Sequence, residues 1–398
     1  MATEKPPADR AAIGCAPPEP DDTPGPLSAR ASVRATLLRA AKWTRLATRA
    51  SLRSARASAR RRAQTSLISS SSFARELEQG PARGQCGNTP TAEGRANPDP
   101  VARMLLERLD EHEVAEIEAR IAEQADLRAM YDGASTPELR RFLLINFAMW
   151  LDAGNVSSKT GLSAPQPPDE VHSMARGALA AAGGLYDADL IAATLADAGV
   201  DLGEVVRGLD FGCSSGRVVR VFAAAYPQTR WQGCDPNRPA VEWARENLPW
   251  IDFTVSQQEP PLPFEDASLD LVYAISIWSH FAPRLGLRWF EEMHRLIAPG
   301  GHLLCTVHGL TSVEYYAGRQ LRSATQSQEI VQALYRHGYW YAPEFGEQGD
   351  WGVINPEWGT AFLSPEWMLT QLCPRWRVGH FAPGRNQENQ DVYVLERV

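Results

Sequence analysis

The 398-residue sequence predicts an α/β protein with a doubly wound, mostly parallel sheet. Residues 205–209 form a short apolar run suited to a buried strand, and a loop of small residues follows before a helical pattern resumes at Val218. Short β-prone segments then alternate with helical segments to about residue 307, which is the pattern of a parallel sheet. Residues 377–381 and 392–395 fit a closing antiparallel hairpin.

The first 98 residues differ in composition from the rest of the chain. Pro, Ala, Ser, Gly and Arg dominate there, and residues 30–62 contain eleven basic side chains and no acidic one. A segment with so few core-forming residues favours a disordered basic extension. A basic amphipathic arm for anionic lipid or nucleic acid is one alternative, and an organelle transit peptide is another.

Residues 99–170 predict a helical cap and a linker. Helical spacing of apolar residues begins near Met104, and Thr136 followed by Pro137 predicts a further helix that Gly154 ends. A Ser-, Pro- and Gly-rich linker follows at 157–168. We expect the helices to pack on the main domain, residues 171–398, and the alternative is that they form the face of a homodimer.

Charge, hydropathy and cysteine usage exclude several classes of protein. The net charge of -8 argues against a chain that binds nucleic acid as a whole. No apolar run approaches the roughly 20 residues that span a bilayer. The six cysteines are scattered without a C-x-x-C pair, which predicts free thiols in a reducing, cytoplasmic setting and no metal site.

The loop at 210–216 has the spacing of a ligand-binding turn. Asp210, Gly212, Ser214 and Gly216 stand at alternate positions, with Cys213 among them. Glycine lacks Cβ, so the backbone can turn tightly and approach a ligand closely. Amides at the start of the next helix can receive an anionic group. The order acid-x-G-x-S-x-G differs from the G-x-G-x-x-G spacing of dinucleotide-binding enzymes.

Asp235, followed by Pro236, ends the second predicted strand. A carboxylate there can accept both hydroxyls of a ribose, because its two oxygens match two adjacent donors. NAD enzymes bind ribose with the same kind of carboxylate, so Asp235 alone does not identify the cofactor.

Four stretches together resemble the class I S-adenosylmethionine-dependent methyltransferases, of the methyltransferase type 11 and 25 kind. They are the loop at 210–216, the acid at 235, L-P-F-E-D-A-S-L-D-L-V at 262–272 and E-M-H-R-L-I-A-P-G-G at 292–301. The resemblance covers roughly residues 186–308 and implies a Rossmann-like fold with S-adenosyl-L-methionine as cofactor. Family members often carry an acid for the adenine amino group where this chain has a glutamine. The cofactor-binding residues that it implies are Asp210, Gly212, Cys213, Ser214, Gly216, Asp235, Pro236, Gln258 and Ser276.

His280 is the candidate general base. It follows the fourth predicted strand, where the methyl group would face its acceptor. An imidazole with an ordinary pKa near 6.5 suits a base for a hydroxyl acceptor. A packing role is the alternative for His280, and His308 is the second choice of base.

Aromatic residues are dense between about 310 and 362. They predict an insertion that covers the mouth of the crevice and binds the acceptor, although the core of a small subdomain is an equal alternative. In the family that the sequence resembles, the segment before the 210–216 loop folds over the cofactor. The candidate acceptor-binding residues are Tyr186, Tyr315, Tyr339 and Trp340.

The sequence thus predicts an S-adenosylmethionine-dependent methyltransferase that O-methylates a small-molecule, sugar or glycolipid acceptor. One alternative is an NAD-dependent oxidoreductase, which the glycine spacing disfavours. Another is a scaffold that binds the cofactor without catalysis.

Overall fold

The computed structural model describes residues 99–398, except 135, 166, 169–170, 172–179 and 346–352. The predicted extension, residues 1–98, lies outside the described residues. The helices are α1 (Pro100–Leu106), α2 (Glu111–Ala122), α3 (Ala125–Asp132), α4 (Pro137–Leu151), α5 (Val156–Thr160), α6 (Ala180–Asp197), α7 (Val219–Ala225), α8 (Arg238–Asn247), α9 (Pro283–Leu296), α10 (Leu310–Gly318), α11 (Ala324–His337) and α12 (Pro365–Leu372). The strands are β1 (Arg207–Phe211), β2 (Arg230–Asp235), β3 (Asp252–Val255), β4 (Leu269–Ala274), β5 (Ile297–Val307), β6 (Tyr339–Ala342), β7 (Thr360–Leu363), β8 (Trp376–Asn386) and β9 (Gln390–Arg397).

A seven-stranded sheet in the order β3-β2-β1-β4-β5-β9-β8 forms the centre of the fold. Strands β1 to β5 run parallel, and β9 pairs antiparallel with both β5 and β8. The predicted α/β class, the mostly parallel sheet and the closing hairpin are therefore confirmed. The strand order reverses between β1 and β4, and in such sheets the crevice for a ligand opens at the carboxyl ends of these strands.

Each face of the sheet carries its own core, because parallel strands are buried on both sides. On one face α7 packs on the sheet, and the ring of Phe222 stacks on Trp231 with centroids 5.0 Å apart. On the other face α9 packs on the sheet, and Phe211 meets Trp289 at 4.8 Å. The first core continues into the N-terminal helices through buried side chains such as Ile117.

The aromatic-rich segment after β5 folds into α10, α11 and a small antiparallel sheet of β6 and β7. Backbone bonds attach the β7 segment to the loops that follow β4 and β5. Gly359 N donates to His280 O (2.7 Å), Ala361 N to Ser279 O (2.7 Å) and Leu363 N to His308 O (2.8 Å). The insertion is thus hydrogen-bonded to both loops at the carboxyl edge of the sheet.

Helix α4 begins as the sequence predicts and ends earlier than predicted. Thr136 Oγ1 accepts the backbone N–H of Leu139, which caps the first turn. The helix ends at Leu151, because Asp152 adopts a left-handed conformation with φ of 48°. Gly154 follows in a left-handed turn of its own (φ 63°), outside the helix. Among the described residues, no helix is long and apolar enough to cross a membrane.

Helix α1 is held at both ends by groups from α5, α6 and α7. At its start, the backbone N–H groups of Val101 and Ala102 donate to Asp189 Oδ1 on α6, at 2.8 and 3.1 Å. Just after its end, Arg108 donates to Thr160 O in α5 and to the last carbonyls of α7. Those carbonyls have no intrahelical partner, so a cation is the appropriate cap.

Replacing this cap should measurably destabilise the protein. Arg108→Ala removes charge-assisted hydrogen bonds of 3.0, 2.7 and 2.8 Å to three carbonyls, and we expect the free energy of unfolding to fall by ~2 kcal/mol. Denaturant unfolding measures this change. Arg103→Ala removes an exposed arginine from the same helix and serves as the control. Equal stability of the two variants would show that the carbonyl bonds do not contribute.

Candidate functional site

The loop between β1 and α7 owes its shape to backbone conformations that favour glycine. Gly212 has φ of 86°, and a Cβ at that position would overlap Ile277 Cδ1. Gly216 has φ of 75°, and a Cβ there would lie 2.8 Å from Leu248 Cδ1. Both glycines are therefore required by the turn and by packing, in addition to the close approach of a ligand that the sequence predicts. Ser214 also has positive φ, 48°, although it carries a side chain.

Asp235 links the loops after β1 and β2. Its Oδ2 accepts the backbone N–H of Ser214 (2.8 Å) and its Oδ1 that of Asn237 (2.7 Å). Burial raises the pKa of Asp235 to about 6, and these two bonds oppose the rise. Each carboxylate oxygen has a further lone pair for a ligand hydroxyl. Pro236, half-buried, separates the two bonded segments.

Asp210 lies at the carboxyl end of β1 and is 4% exposed. Burial raises the pKa of Asp210 to about 7, and the nearby Arg217 guanidinium opposes that rise. Arg217 in turn forms an ion pair with Asp187 of α6 at 2.5 Å. Cys213, between the two glycines, is buried, and burial raises the pKa of its thiol.

Two buried hydroxyls in this part of the crevice have no hydrogen-bond partner among the described residues. They are Ser214 Oγ and Ser256 Oγ. Ser256 follows β3, and its backbone N–H donates to Asp235 O (3.0 Å), so it lies beside the same carboxylate. Gln258 is half-buried two residues further on. A buried hydroxyl without a partner is costly, and a polar ligand such as a nucleoside supplies partners. The residues present therefore fit an adenosyl cofactor.

Ser276 follows β4 and has φ of 61°, an uncommon conformation for a residue with a side chain. Its backbone N–H donates to Thr306 Oγ1 on β5 (2.7 Å), and its hydroxyl accepts from Gln390 Nε2 on β9 (2.7 Å). Sequence reasoning singled out Ser276 and missed Thr306 and Gln390. The signal that could have identified them is their position, because polar residues near the crevice ends of β5 and β9 lie beside β4 in this fold.

His280 is held by the insertion. Its Nδ1 lies 2.8 Å from Gly359 O, and its ring packs on Trp358 with centroids 4.7 Å apart. A carbonyl can only accept, so Nδ1 carries the proton and the basic lone pair is on Nε2. The backbone of the insertion thus selects the tautomer of His280.

His308 is buried beside it, with ring centroids 6.4 Å apart. Its Nδ1 donates to Ala361 O (3.2 Å), and its Nε2 accepts from the hydroxyl of Tyr316 (3.1 Å). Burial, with a smaller contribution from His280, lowers the pKa of His308 to about 3. A neutral imidazole whose lone pair is already engaged is a poor base, which argues against His308 in that role.

The four aromatic residues predicted to bind the acceptor lie in different surroundings. Tyr186 is half-buried on α6, and its hydroxyl accepts from Gln387 N in the β8–β9 turn (3.0 Å). The guanidinium of Arg319 lies 3.6 Å from the ring centroid of Tyr315. Tyr339 is only 7% exposed in the core beneath α9, and Trp340 meets Phe362 edge-on in a separate small cluster. The structure does not bring these four side chains together.

Known proteins resemble this chain mainly over the part that carries the site. A family model described as a methyltransferase domain matches residues 209–301. Trans-aconitate 2-methyltransferase of Variovorax paradoxus is 31% identical over 111 residues, which are 26% of this chain and 39% of that protein. The chain therefore spans well under half the length of this curated relative.

Solved structures give weaker likenesses. An S-adenosylmethionine-dependent methyltransferase from Mesorhizobium loti is 16% identical with a TM-score of 0.36, over 52% of this chain and 98% of that one. Mitomycin 7-O-methyltransferase is 14% identical with a TM-score of 0.39, over 69% and 72% of the two chains. Geranyl diphosphate C-methyltransferase from Streptomyces coelicolor is 11% identical with a TM-score of 0.35, over 58% and 86%.

The matched range runs from β1 to β5 and so includes the loops after β1 and β2 that carry the buried acidic and hydroxyl groups. Residues 209–301 therefore match a methyltransferase domain, and this match supports a class I S-adenosylmethionine-dependent methyltransferase with S-adenosyl-L-methionine as cofactor.

Proposed function

We propose that this chain transfers a methyl group from S-adenosylmethionine to an oxygen atom of a small hydroxylated acceptor. The observation that carries the proposal is the division of the crevice into two halves. The loops after β1, β2 and β3 supply a cradle with buried acidic and hydroxyl groups. The loops after β4 and β5 supply an oriented histidine beneath the insertion.

On the cofactor half, each polar group has a role that its chemistry suits. Asp235 accepts the two ribose hydroxyls, since both of its oxygens retain a lone pair. We assign Ser256 and Gln258, which follow β3, to the edge of the adenine ring. Asp210 binds the positively charged amino group of the cofactor, because a nearby cation stabilises a buried ionised carboxylate.

On the acceptor half, His280 serves as the general base. When bound, S-adenosylmethionine supplies an activated methyl group, so the reaction is a displacement that leaves a neutral thioether. His280 Nε2 takes the proton that the acceptor hydroxyl loses as its oxygen bonds to carbon. Gly359 O holds Nδ1–H and stabilises the imidazolium that forms.

The insertion positions this base and excludes water. Its bonds to the loops after β4 and β5 hold Ser279, His280 and His308 against one backbone segment. The rings of Trp358 and Phe345 lie 4.7 and 5.7 Å from the His280 ring. Positioning and water exclusion provide much of the rate in such displacements.

Methyl transfer from tritiated S-adenosylmethionine tests the proposal directly. The acceptor panel should contain phenols, catechols, sugars, a glycolipid and hydroxy acids, together with a polycarboxylate, because the curated relative is named for trans-aconitate. Transfer to a hydroxyl group supports the proposal. Cofactor binding without transfer to any oxygen acceptor would contradict it and favour a scaffold or a carbon or nitrogen acceptor.

Removing the Asp235 carboxylate should weaken cofactor binding. We expect Asp235→Ala to reduce the affinity for S-adenosylmethionine by ~1.5–3 kcal/mol, because hydrogen bonds to a charged group are lost. Titration calorimetry measures the change. Asp252→Ala, which removes an exposed carboxylate on β3 that pairs with Arg230, is the control. If the two variants bind equally well, Asp235 does not contact the cofactor.

Cofactor affinity should also depend on pH. Burial raises the pKa values of Asp210 and Asp235 to about 7 and about 6, so both carboxyls take up protons at mildly acidic pH. The ionised forms accept more hydrogen bonds and attract a cationic cofactor, so affinity should rise with pH and level off about one pH unit above the pKa of Asp210. Calorimetry at several pH values measures the profile. Asp235→Asn should lose the part centred near pH 6, and an unchanged profile would contradict the assignment.

Substitution of His280 should separate catalysis from binding. His280→Asn should lower the turnover rate ~10²–10⁴-fold with cofactor affinity intact, because a general base contributes about that factor. At saturating cofactor, the wild-type turnover rate should rise with pH as the imidazole loses its proton, and the variant should lose that rise. Steady-state rates across pH measure both effects. Near-normal turnover would remove His280 from the mechanism.

A further inference from the structure

A buried side-chain network joins the carboxyl ends of β4 and β5 to the first residue of β9. Its centre is Gln390, which is 5% exposed. Gln390 Nε2 donates to Ser276 Oγ (2.7 Å) and to His308 Nε2 (3.3 Å). Gln390 Oε1 accepts from Thr306 Oγ1 (2.7 Å) and Asn386 Nδ2 (3.1 Å). A carboxamide has two donors and two acceptor lone pairs, so this side chain is fully engaged and its orientation is fixed.

The direction of these bonds follows from chemistry. His308 Nδ1 faces a carbonyl, so its Nε2 can only accept, and the Gln390 atom beside it must be the amide nitrogen. Ser276 Oγ therefore accepts one N–H from Gln390.

The neighbouring serine settles the remaining proton. Ser279 is fully buried, and among the described residues its hydroxyl meets only Ser276 Oγ, at 3.1 Å. A buried hydroxyl proton without a partner costs about 1–3 kcal/mol, so Ser279 donates to Ser276. Ser276 then accepts from both Gln390 and Ser279, which leaves its own proton available for an acceptor oxygen.

Ser276 stands on the border between the two halves of the crevice. It follows β4, next to the β1 loop of the cofactor half, but its bonds all run to the other side. Its N–H donates to Thr306 on β5, and its hydroxyl accepts from Gln390 on β9. These bonds hold its left-handed backbone, a conformation that costs of order 1–3 kcal/mol and that often marks functional positions.

We propose that Gln390 is a positioning residue for methyl transfer, acting through Ser276, whose hydroxyl donates to an oxygen of the acceptor. The inference rests on the proposed function. A donor on the same oxygen that His280 deprotonates would lower its nucleophilicity, so the two groups act on different oxygens. The acceptor class is therefore a compound with two neighbouring oxygens, such as a catechol, a vicinal diol or a hydroxy acid.

A double-mutant cycle tests this coupling. Ser276→Ala and Gln390→Met are each expected to lower kcat/KM about tenfold for a two-oxygen acceptor of the panel. In the double variant, kcat/KM should fall by no more than about twentyfold, because Gln390 acts through Ser276 and the effects of coupled residues are not additive. For the matched acceptor with a single oxygen, Gln390→Met should stay within about threefold of wild type. Gln332→Met makes the same change on an exposed face of α11 and is the control.

Binding of S-adenosylhomocysteine, measured by calorimetry, completes the design. We expect its affinity to stay within about threefold of wild type in Gln390→Met and in Gln332→Met. The inference would be overturned if the double variant lost about a hundredfold in kcat/KM, which is the product of the two single effects. Equal losses for both acceptors, or a large loss of S-adenosylhomocysteine affinity, would also overturn it. A wild-type protein that binds S-adenosylhomocysteine and methylates nothing in the panel would instead overturn the proposed function, and the inference with it. An active wild type with an additive cycle would overturn the inference alone.

Discussion

The bond between Ser214 N and Asp235 Oδ2 is the interaction on which the cofactor half depends. A carboxylate buried at the end of β2 is stable only with donors, and the chain supplies two backbone N–H groups for it. One of them comes from the β1 loop, which can present that N–H only because Ser214 and its flanking glycines adopt positive φ. The small residues of the loop, the acid at 235 and the spacing of β1 and β2 are therefore parts of one arrangement.

A comparable contact explains why two other motifs occur together. Glu292 on α9 accepts the N–H of Leu262 (2.7 Å), and Arg295 donates to the carbonyl of Phe264 (2.9 Å). The E-x-x-R turn thus holds the backbone of the L-P-F segment that leads into β4. Both stretches are visible in the sequence because each is local, and their resemblance to a family indicated the mostly parallel sheet and its cofactor loops.

Other parts of the site could not be predicted, for physical reasons. Gln390 meets Ser276 across 114 residues of chain, and a single polar residue at a strand end produces no periodic pattern. The tautomers of His280 and His308 depend on carbonyls 79 and 53 residues away. The dense aromatic segment was consistent with two hypotheses, a cap over the crevice and the core of a small subdomain. Composition alone does not show which rings face a crevice. In the structure Tyr339 packs beneath α9, and the guanidinium of Arg319 lies over the ring of Tyr315. Aromatic residues that are close in sequence therefore lie in different environments.

The backbone carbonyls that hold the two histidines also shape how the site can vary. When a carboxylate side chain orients a histidine, a single point mutation can remove that carboxylate. No substitution at 359 or 361 removes a backbone carbonyl. What matters is which carbonyl stands opposite each ring, and that is set by how β7 pairs with the loops after β4 and β5. A strand shifted by one residue presents its other face, so the tautomers are vulnerable to changes in segment length rather than in residue identity. Homologues could therefore diverge widely in the residues of this segment while keeping its length.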